Sequence, residues 1–237
     1  MASLLLLVAV ASLAACNIAP PAATPTLIQE PQATSTPTQV PPSPAGPSTP
    51  PSPTPTIAPT PTVPPLNVTV APSSIPKYDR DSWRHWTDAD SDCQNTRAEV
   101  LIDESLAPVR FANPSACRVI SGEWLGLYTD TPVTNASSLD VDHMVPLANA
   151  HASGAWAWSP ERKRAYANDL TDPNHLIAVT ASANRSKGAK GPEEWRPPNQ
   201  SYWCEYADNW IKTKTTWDLS ATPTELVALQ EMLETCG

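Results

Sequence analysis

Apolar and polar positions divide the second half of the chain into short strand-like and helix-like segments. Residues 139–147 alternate enough between the two types to predict a strand that runs into a loop and ends at Pro146. Residues 175–180 form a compact apolar run that predicts a second strand. Residues 181–187 have helical composition, and Gly188 predicts the end of that helix.

Two more helices are predicted from the signals at their N-termini. Ser159 followed by Pro160 suits a helix start, and this helix should run to about residue 168. Residues 222–225 (TPTE) have the form of a capping box with proline at the first helical position. The apolar residues of the helix that follows fall on one face: Leu226, Leu229, Met232 and Leu233. Two strands separated by an insertion and followed by a helix predict an α+β fold.

The N-terminus has the layout of a secretory signal. The apolar run at residues 4–15 is too short to span a bilayer, and small residues precede Cys16. Residues 13–16 (LAAC) resemble the lipobox of bacterial lipoproteins, although no Lys or Arg precedes the apolar run. We expect a signal peptide at residues 1–16, lipidation of Cys16 and attachment to the membrane as a cell-surface or periplasmic lipoprotein. A plain secreted protein is the alternative.

Residues 17–76 have the composition of a linker. They contain 19 of the 29 prolines and almost no charge, so they cannot bury enough apolar surface to fold. We expect a disordered Pro/Thr/Ser-rich stalk that reaches on the order of 180 Å when fully extended. Residues 77–237 are then one folded domain with room for a core.

The folded domain is acidic and contains an even number of cysteines. Its 15 basic and 23 acidic residues give a net charge of −8 with histidine neutral. Four cysteines in an exported chain predict two disulfides among Cys93, Cys117, Cys204 and Cys236. Three pairings are possible, and we favour the sequence-local one, Cys93–Cys117 with Cys204–Cys236. A zinc site is disfavoured because no Cys-x-x-Cys pair occurs.

Ionisable residues interrupt the apolar pattern of the first predicted strand. Asp140, Asp142 and His143 lie among leucine, valine and methionine residues. Burying ionisable groups is costly unless they are paired or hold a metal ion. A strand that ends at His143, a second strand and a helix that carries Asn184 would bring these side chains together.

Residues 140–147 (Asp-x-Asp-His-x-x-Pro-Leu) and 184–188 (Asn-x-Ser-Lys-Gly) together resemble the ββα-metal motif of HNH endonucleases, most closely the secreted bacterial HNH family. The resemblance runs from residue 78 to residue 236 and so covers nearly all of the domain. It implies a ββα-metal core and metal-dependent hydrolysis of phosphodiester bonds. We expect nonspecific cleavage of nucleic acid because no base-reading element accompanies the motif. DNA is favoured over RNA as the substrate, and the sequence leaves that choice open.

The resemblance also implies roles for individual residues. His143 would deprotonate the attacking water, and a neutral histidine is a suitable general base. Asp142 and Asn184 would bind one Mg²⁺ or Mn²⁺ ion, for which carboxylate and amide oxygens are suitable ligands. Asp142 and His143 are neighbours, so a shared site requires the strand to bend or end there.

Further residues of the motif would support the site. Asn174 would brace the loop that carries His143, although the adjacent His175 could share that role. Lys187 or Arg185 could hold the substrate phosphate as a charged clamp.

Two features leave alternatives open. Asp88, Asp90, Asp92 and Glu99 have the spacing of calcium-loop positions 1, 3, 5 and 12, but position 6 is Cys93 instead of glycine. A solvated acidic loop is the favoured interpretation.

The acidic net charge is unusual for a nucleic-acid-binding domain, so positive charge would have to be local. The candidates are Arg162, Lys163, Arg164, Arg185, Lys187 and Lys190. The competing hypothesis is a non-catalytic, Trp-rich surface module on a stalk that binds glycan or protein.

Overall fold

The computed structural model of this protein describes residues 66–69 and 73–237, and both ranges lie in the compact unit Thr56–Gly237. The predicted signal peptide, Cys16 and most of the predicted stalk lie outside the described residues. The helices of the described part are α1 (Thr96–Asp103), α2 (Leu147–Ala152), α3 (Pro160–Ala167), α4 (Ala181–Lys187), α5 (Trp203–Thr216) and α6 (Pro223–Leu233). Its strands are β1 (Arg110–Phe111), β2 (Val119–Gly126), β3 (Thr131–Asn135), β4 (Leu139–His143) and β5 (Leu176–Thr180).

The strands form two separate antiparallel sheets. One has the order β1-β2-β3, and its register pairs Trp124 with Val133. The other consists of β4 and β5 alone, with Leu139 opposite Thr180 and His143 opposite Leu176. The α+β class predicted from the sequence is confirmed.

The small β4–β5 sheet separates two apolar cores because its side chains alternate between its faces. Leu139 and Val141 of β4 join the smaller core, with Val100 and Leu101 of α1 and Trp124 of β2. The other face of the sheet contributes to the larger core, which α5 and α6 complete with aromatic and leucine side chains. Both faces of the sheet are therefore covered, and polar side chains on it lie in a largely water-excluded region.

Two disulfides close sequence-local loops, one before and one after residues 140–188 in the sequence. Cys93 is bonded to Cys117 and Cys204 to Cys236, with Cα–Cα distances of 5.1 Å in each. This is the favoured pairing. Each loop closure contributes roughly 3 kcal/mol in the chain-entropy picture.

The elements predicted from local pattern agree closely with those observed. β4 stops at His143, α3 ends one residue before Asn168, and α4 ends where Gly188 adopts φ 58°. The predicted capping box opens α6, since Thr222 and Glu225 exchange both hydrogen bonds. No helix among residues 66–69 and 73–237 is long and apolar enough to cross a membrane.

The folded contacts begin earlier than residue 77, where the domain boundary was expected. Leu66 is buried in the larger core, and Val68 forms a parallel bridge with Ala221. Thr69 N donates to Ala221 O at 3.1 Å, and Ala221 N donates to Asn67 O at 2.9 Å. Residues 67–69 of the predicted stalk therefore contact Ala221, two residues before α6 begins.

Candidate active site

The motif residues Asp142, His143 and Asn184 lie on a strand–strand–helix unit made of β4, β5 and α4. β5 leads directly into α4, which packs against both strands. Asp140 and Asp142 are two residues apart on β4 and therefore share a face. Asn184 and Lys187 are three residues apart on α4 and likewise lie on one side of the helix. The four polar side chains face each other across the contact between strand and helix.

A cleft of about 290 Å³ opens beside this unit. Its lining includes Asp142 and His143 from β4 and Asn184 and Arg185 from α4. Because β4 ends at His143, neighbouring side chains that would diverge in a continued strand both reach the cleft. The structure thus brings together four of the residues singled out in the sequence.

Asp142 is held from behind by a buried lysine. The ammonium of Lys187, whose side chain is fully buried, forms a short ion pair with Asp142 Oδ2. Lys187 also donates to the backbone carbonyls of His143 at 3.0 Å and Met144 at 2.8 Å. The Tyr128 hydroxyl donates to the same Asp142 Oδ2 at 2.7 Å.

These contacts leave the other carboxylate oxygen of Asp142 available. All of its hydrogen bonds from described residues fall on Oδ2, and Asp142 lines the cleft while only 5 % exposed. Burial raises the pKa of Asp142, whereas the charge and hydrogen bond of Lys187 oppose that shift. Burial also raises the pKa of Tyr128 well above its ordinary value, so Tyr128 remains a hydrogen-bond donor to the carboxylate.

His143 is fixed in one tautomer by a backbone carbonyl. Its Nε2 lies 3.1 Å from Ala167 O, and a carbonyl oxygen can only accept, so in the neutral ring Nε2 carries the proton. Nδ1 is then the atom with the free lone pair. Burial, reinforced by the nearby His175, lowers the pKa of His143 well below its ordinary value. The imidazole is therefore neutral at neutral pH.

Asn184 is oriented by Asp140. Its Nδ2 donates to Asp140 Oδ2 at 3.2 Å, and a carboxylate can only accept, so the amide must present its NH₂ group to Asp140. The amide oxygen of Asn184 therefore has no partner in this contact. Arg185 Nε lies 3.6 Å from the same Asp140 oxygen, and 76 % of the Arg185 side chain is exposed.

The oxygen atoms left free fit a hard divalent ion. Asp142 offers one carboxylate oxygen and Asn184 one amide oxygen, and both residues line the cleft. Oxygen donors of these types are what Mg²⁺ and Mn²⁺ prefer in proteins. The two supporting contacts, Lys187 on Asp142 and Asp140 on Asn184, point each ligand in a defined direction.

Two residues are placed differently from the expectation. Lys187 was expected to contact a substrate phosphate, but its side chain is fully buried and its ammonium faces Asp142 and two carbonyls. Its role in this structure is to position Asp142. Asn174 lies in the turn before β5 and does not line the cleft; its backbone N donates to Asp172 Oδ1 at 3.1 Å. Bracing is instead provided by the Ala167 carbonyl on His143.

His175 takes part in that bracing from the neighbouring position. Its Nε2 lies 2.8 Å from Tyr166 O, and its backbone carbonyl accepts from Met144 N at 2.9 Å. The Tyr166 ring is parallel to His143, with centroids 6.2 Å apart and an angle of 6°. The C-terminal end of α3 is therefore anchored to both histidines.

Sequence reasoning missed several residues around the cleft. Tyr78 and Arg80 line it, although they precede the motif by about 60 residues. Tyr128, which supports Asp142, follows β2, and nothing in the local pattern connects it to the motif. The only signal for Tyr78 and Arg80 was that the resemblance begins at residues 78–81, the segment that contains them.

The acidic loop of residues 88–92 is separate from this cleft. One oxygen from each of Asp88, Asp90 and Asp92 lies within 4.8 Å of the others, and all three residues are exposed. Their carboxylates accept backbone N–H groups of the same loop, including Cys93 N on Asp88 Oδ2 at 2.9 Å. The calcium alternative stays untested, and a solvated loop fits these contacts.

Comparison with known proteins places this chain in a family. Residues 96–232, which include all of β4, β5 and α4, match the family described as "GmrSD restriction endonucleases, C-terminal domain". This chain belongs to that family. The prediction of a nuclease family is thereby confirmed.

A relative of this chain occurs in a fungus. An "Uncharacterized secreted protein" from the fungus Arthroderma benhamiae is 44 % identical to this chain over 170 residues, which is 71 % of this chain and 81 % of the relative. No solved structure gives a significant match. Family membership alone does not specify the bacterial HNH type that the motif led us to expect.

Proposed function

We propose that this protein is an exported, metal-dependent endonuclease of the HNH type, with β4, β5 and α4 as its ββα-metal core. The proposal rests on the presence, in one cleft, of a candidate general base and two candidate metal ligands. His143 presents an unprotonated Nδ1, and Asp142 and Asn184 each present an oxygen that accepts no hydrogen bond from residues 66–69 or 73–237. A site of this kind suits hydrolysis of a phosphodiester bond.

His143 is the general base in this mechanism. The proton of the attacking water moves to Nδ1, while Nε2 keeps its hydrogen bond to Ala167 O. Because burial lowers the pKa of His143, the ring is ready to accept a proton at neutral pH. The parallel Tyr166 ring and the Ala167 carbonyl keep the imidazole from rotating.

Asp142 and Asn184 are the proposed ligands of one Mg²⁺ or Mn²⁺ ion. Such an ion supplies Lewis-acid stabilisation of charge on the phosphate and on the departing 3′ oxygen. Lys187 and Tyr128 keep the Asp142 carboxylate aimed at the cleft, and Asp140 does the same for the Asn184 amide. The protein thereby holds both ligands in place before substrate arrives.

Arginine side chains are the proposed phosphate contacts. Arg185 and Arg80 line the cleft, and a guanidinium matches the geometry of a phosphate. Lys187 cannot serve this purpose because it is buried behind Asp142. The acidic net charge of the chain is compatible with such local contacts, and it predicts modest, salt-sensitive affinity for nucleic acid.

Export is proposed from the secreted relative and the N-terminal pattern. A signal peptide at residues 1–16 would carry the domain out of the cytoplasm, and two disulfides suit an oxidising compartment. Attachment through a lipidated Cys16, with residues 17–65 as the stalk, is the finer form of this proposal. Radiolabelled palmitate incorporation that disappears in Cys16→Ser would support it, and unlabelled, freely released protein would contradict it.

Digestion of plasmid DNA by the full chain tests the nuclease proposal. We expect nicking with Mg²⁺ or Mn²⁺, no nicking with EDTA, and a loss of at least about 100-fold in His143→Ala, the lower range for a general base. His151→Gln is the matched control, since His151 is also buried and hydrogen-bonded to a backbone carbonyl, that of Pro76, but lies outside the cleft.

The same experiment separates the competing hypothesis. No cleavage of DNA or RNA by a folded, disulfide-bonded chain with either metal would favour the Trp-rich binding module. Cleavage that survives in His143→Ala would mean that the protein is a nuclease whose active site lies elsewhere.

A further inference from the structure

Trp86 has an unusual backbone conformation next to the proposed base. Its φ is 58°, in the left-handed region that bulky side chains rarely adopt. Its ring centroid lies 5.6 Å from that of His143, with an angle of 31° between the planes. Outliers of this kind persist only where the surrounding structure determines them, and they cluster at functional sites.

A single side chain holds the segment on both sides of Trp86. Asn168 Nδ2 donates to Arg84 O at 2.7 Å, and Asn168 Oδ1 accepts from Thr87 N at 2.9 Å. Asn168 directly follows Ala167, whose carbonyl fixes His143. The turn at the end of α3 therefore sets the position of Trp86 relative to His143.

Trp86 is partly buried and lies at the edge of a second concave surface. The residue packs against the smaller apolar core, and it also lines a cavity of about 480 Å³ with Arg84 and Arg164. Neither arginine forms an ion pair within residues 66–69 and 73–237. Asp81 and Asp88 line the same cavity, so positive charge there is confined to the two guanidinium groups and any phosphate contact is local.

The two concave surfaces are neighbours. Arg80 lines the cleft, His85 lines the second surface, and Arg80 Nη2 lies 3.5 Å from His85 Nε2. His143 faces Trp86 directly. A strand with its reacting phosphate beside His143 would therefore bring an adjacent nucleotide to Trp86 and the next phosphate to Arg84 or Arg164.

We propose that Trp86 stacks on the base adjacent to the scissile phosphate, with Arg84 and Arg164 as contacts for the next phosphate. This inference rests on the nuclease proposed above and adds its substrate class. A base that stacks on a protein ring must leave its neighbours in a duplex, so the subsite takes single-stranded or locally unpaired nucleic acid. Trp86 is in this view a positioning residue for the substrate.

Removal of single bases tests the stacking directly. An end-labelled single-stranded DNA is prepared as a series in which one abasic site is moved along the sequence, and the full chain cleaves each member with Mg²⁺. Stacking contacts predict suppression of cleavage on the order of tenfold at one fixed distance from the abasic site. Trp86→Leu keeps an apolar side chain and should lose this suppression, whereas Trp86→Phe should retain part of it.

Matched controls separate stacking from general damage. Trp156→Leu changes another partly buried tryptophan, which lines a cavity away from both surfaces, and it should leave the suppression unchanged. Arg84→Gln and Arg164→Gln should each raise KM severalfold and lower the salt dependence of cleavage, while the exposed Arg118→Gln should not. Suppression that is equal in wild type and Trp86→Leu, or absent in wild type, would overturn the proposal.

A spectroscopic measurement covers the case in which Trp86→Leu does not fold. The full chain labelled with 5-fluorotryptophan gives a resonance for Trp86, assigned by Trp86→Phe. That resonance should shift when an intact strand binds and should shift less when the strand lacks the stacked base.

If the wild-type chain cleaves no strand, the nuclease proposal fails separately, and binding of the same DNA series then decides the inference. Equal binding of intact and abasic strands, or binding of neither, would overturn the stacking role as well.

Discussion

Two buried lysines in this protein make nearly the same ion pair with different consequences. Lys187 is paired with Asp142 beside the cleft, and Lys214 of α5 is paired with Glu225 of α6 at 2.5 Å. Both lysines are fully buried, and each ammonium lies within 6 Å of the Trp210 ring centroid. Burial lowers the pKa of both lysines, and the paired carboxylate opposes the shift in each.

The difference is in the second carboxylate oxygen. Glu225 Oε1 accepts from Lys214 and from Trp210 Nε1, and Glu225 Oε2 accepts from Thr222 N in the capping box at 3.2 Å. Both oxygens are thus used inside the fold. Asp142 places its protein contacts on Oδ2 and leaves Oδ1 at the cleft. A buried ion pair has only a structural role when both carboxylate oxygens accept hydrogen bonds within the protein. It can bind a ligand when one of those oxygens has no such contact.

Isosteric replacement of the two carboxylates should separate these roles most strongly. Asp142→Asn should reduce cleavage by about 1,000-fold, because it weakens the binding of a metal ion whose Lewis acidity lowers the activation barrier by several kcal/mol. Glu225→Gln should leave the activity of the folded protein within a few-fold of wild type and lower its free energy of unfolding. Initial rates of plasmid nicking and urea denaturation measure the two effects. Equal losses of activity in both variants would contradict the comparison.

Removal of either lysine should destabilise the protein to a similar extent. Lys187→Met and Lys214→Met each leave a buried carboxylate without its cation, which costs about 3–5 kcal/mol in the free energy of unfolding. Adding Glu225→Gln to Lys214→Met should restore most of the stability and leave activity intact. Adding Asp142→Asn to Lys187→Met should restore stability but not activity. Activity in the second double variant would show that Lys187 and Asp142 have only a structural role.

The contact that orients Asn184 should have a smaller effect than the ligands themselves. Asp140→Asn removes the carboxylate that requires Asn184 to present its NH₂ group, so metal affinity or kcat should fall about 10–100-fold. Titration of nicking activity with Mn²⁺ measures this change. Asp172→Asn, which breaks the partly exposed pair with Lys212 at 3.0 Å, should change activity less than about twofold. An Asp140→Asn variant with the metal dependence of wild type would contradict the orienting role.

A third carboxylate, that of the partly buried Glu104, has no lysine partner among the described residues. Glu104 Oε2 accepts from Ala178 N at 2.9 Å, but Oε1 is buried without a hydrogen-bond partner. Burial, only partly offset by the Ala178 contact, raises the pKa of Glu104 to about 7. No cation among the residues described here compensates the charge, in contrast to Asp142 and Glu225.

This raised pKa predicts a pH dependence of stability with a definite sign. The pKa of Glu104 is higher in the folded than in the unfolded protein, so at pH values between the two the folded state binds more protons. The contribution of Glu104 to the free energy of unfolding is therefore lost as pH rises from about 4.5 through 7. The loss from this group is at most about 3 kcal/mol. Glu104→Gln should remove it, so the difference in unfolding free energy between wild type and variant should change between pH 5 and pH 8. A difference in unfolding free energy that does not change with pH would mean that the pKa of Glu104 is not raised in the folded protein.

Much of the local structure could be predicted from the sequence because its signals lie within a few residues of each other. The end of β4 before Pro146, the start of α3 at Pro160 and the capping box at Thr222 all depend on short-range geometry. The motif residues Asp142, His143 and Asn184 could likewise be singled out from the sequence, through the resemblance to HNH endonucleases.

The function of Lys187 and Asn174 could not be predicted in this way. Both lie in the motif, but the side of α4 that Lys187 faces depends on how the helix packs on β4. Its burial also depends on Tyr128 and Trp210, which come from distant parts of the chain. Bracing of His143 by a backbone carbonyl leaves no trace in residue identity at all, because any residue at position 167 has that carbonyl.

The sequence by itself determined the α+β class and the number of disulfides, and its resemblance to HNH endonucleases indicated the nuclease family and the three residues proposed for base and metal. The class and the cysteine count depend on residue type and local spacing, and the other expectations depend on a match to a known motif. The tertiary structure decided which oxygen of Asp142 is free, which nitrogen of His143 is unprotonated and that Trp86 lies beside it. Those properties arise from contacts between segments up to about 80 residues apart, such as Asn168 with Arg84 and Thr87. A carboxylate or imidazole acquires its chemical role from the partners that packing brings to it.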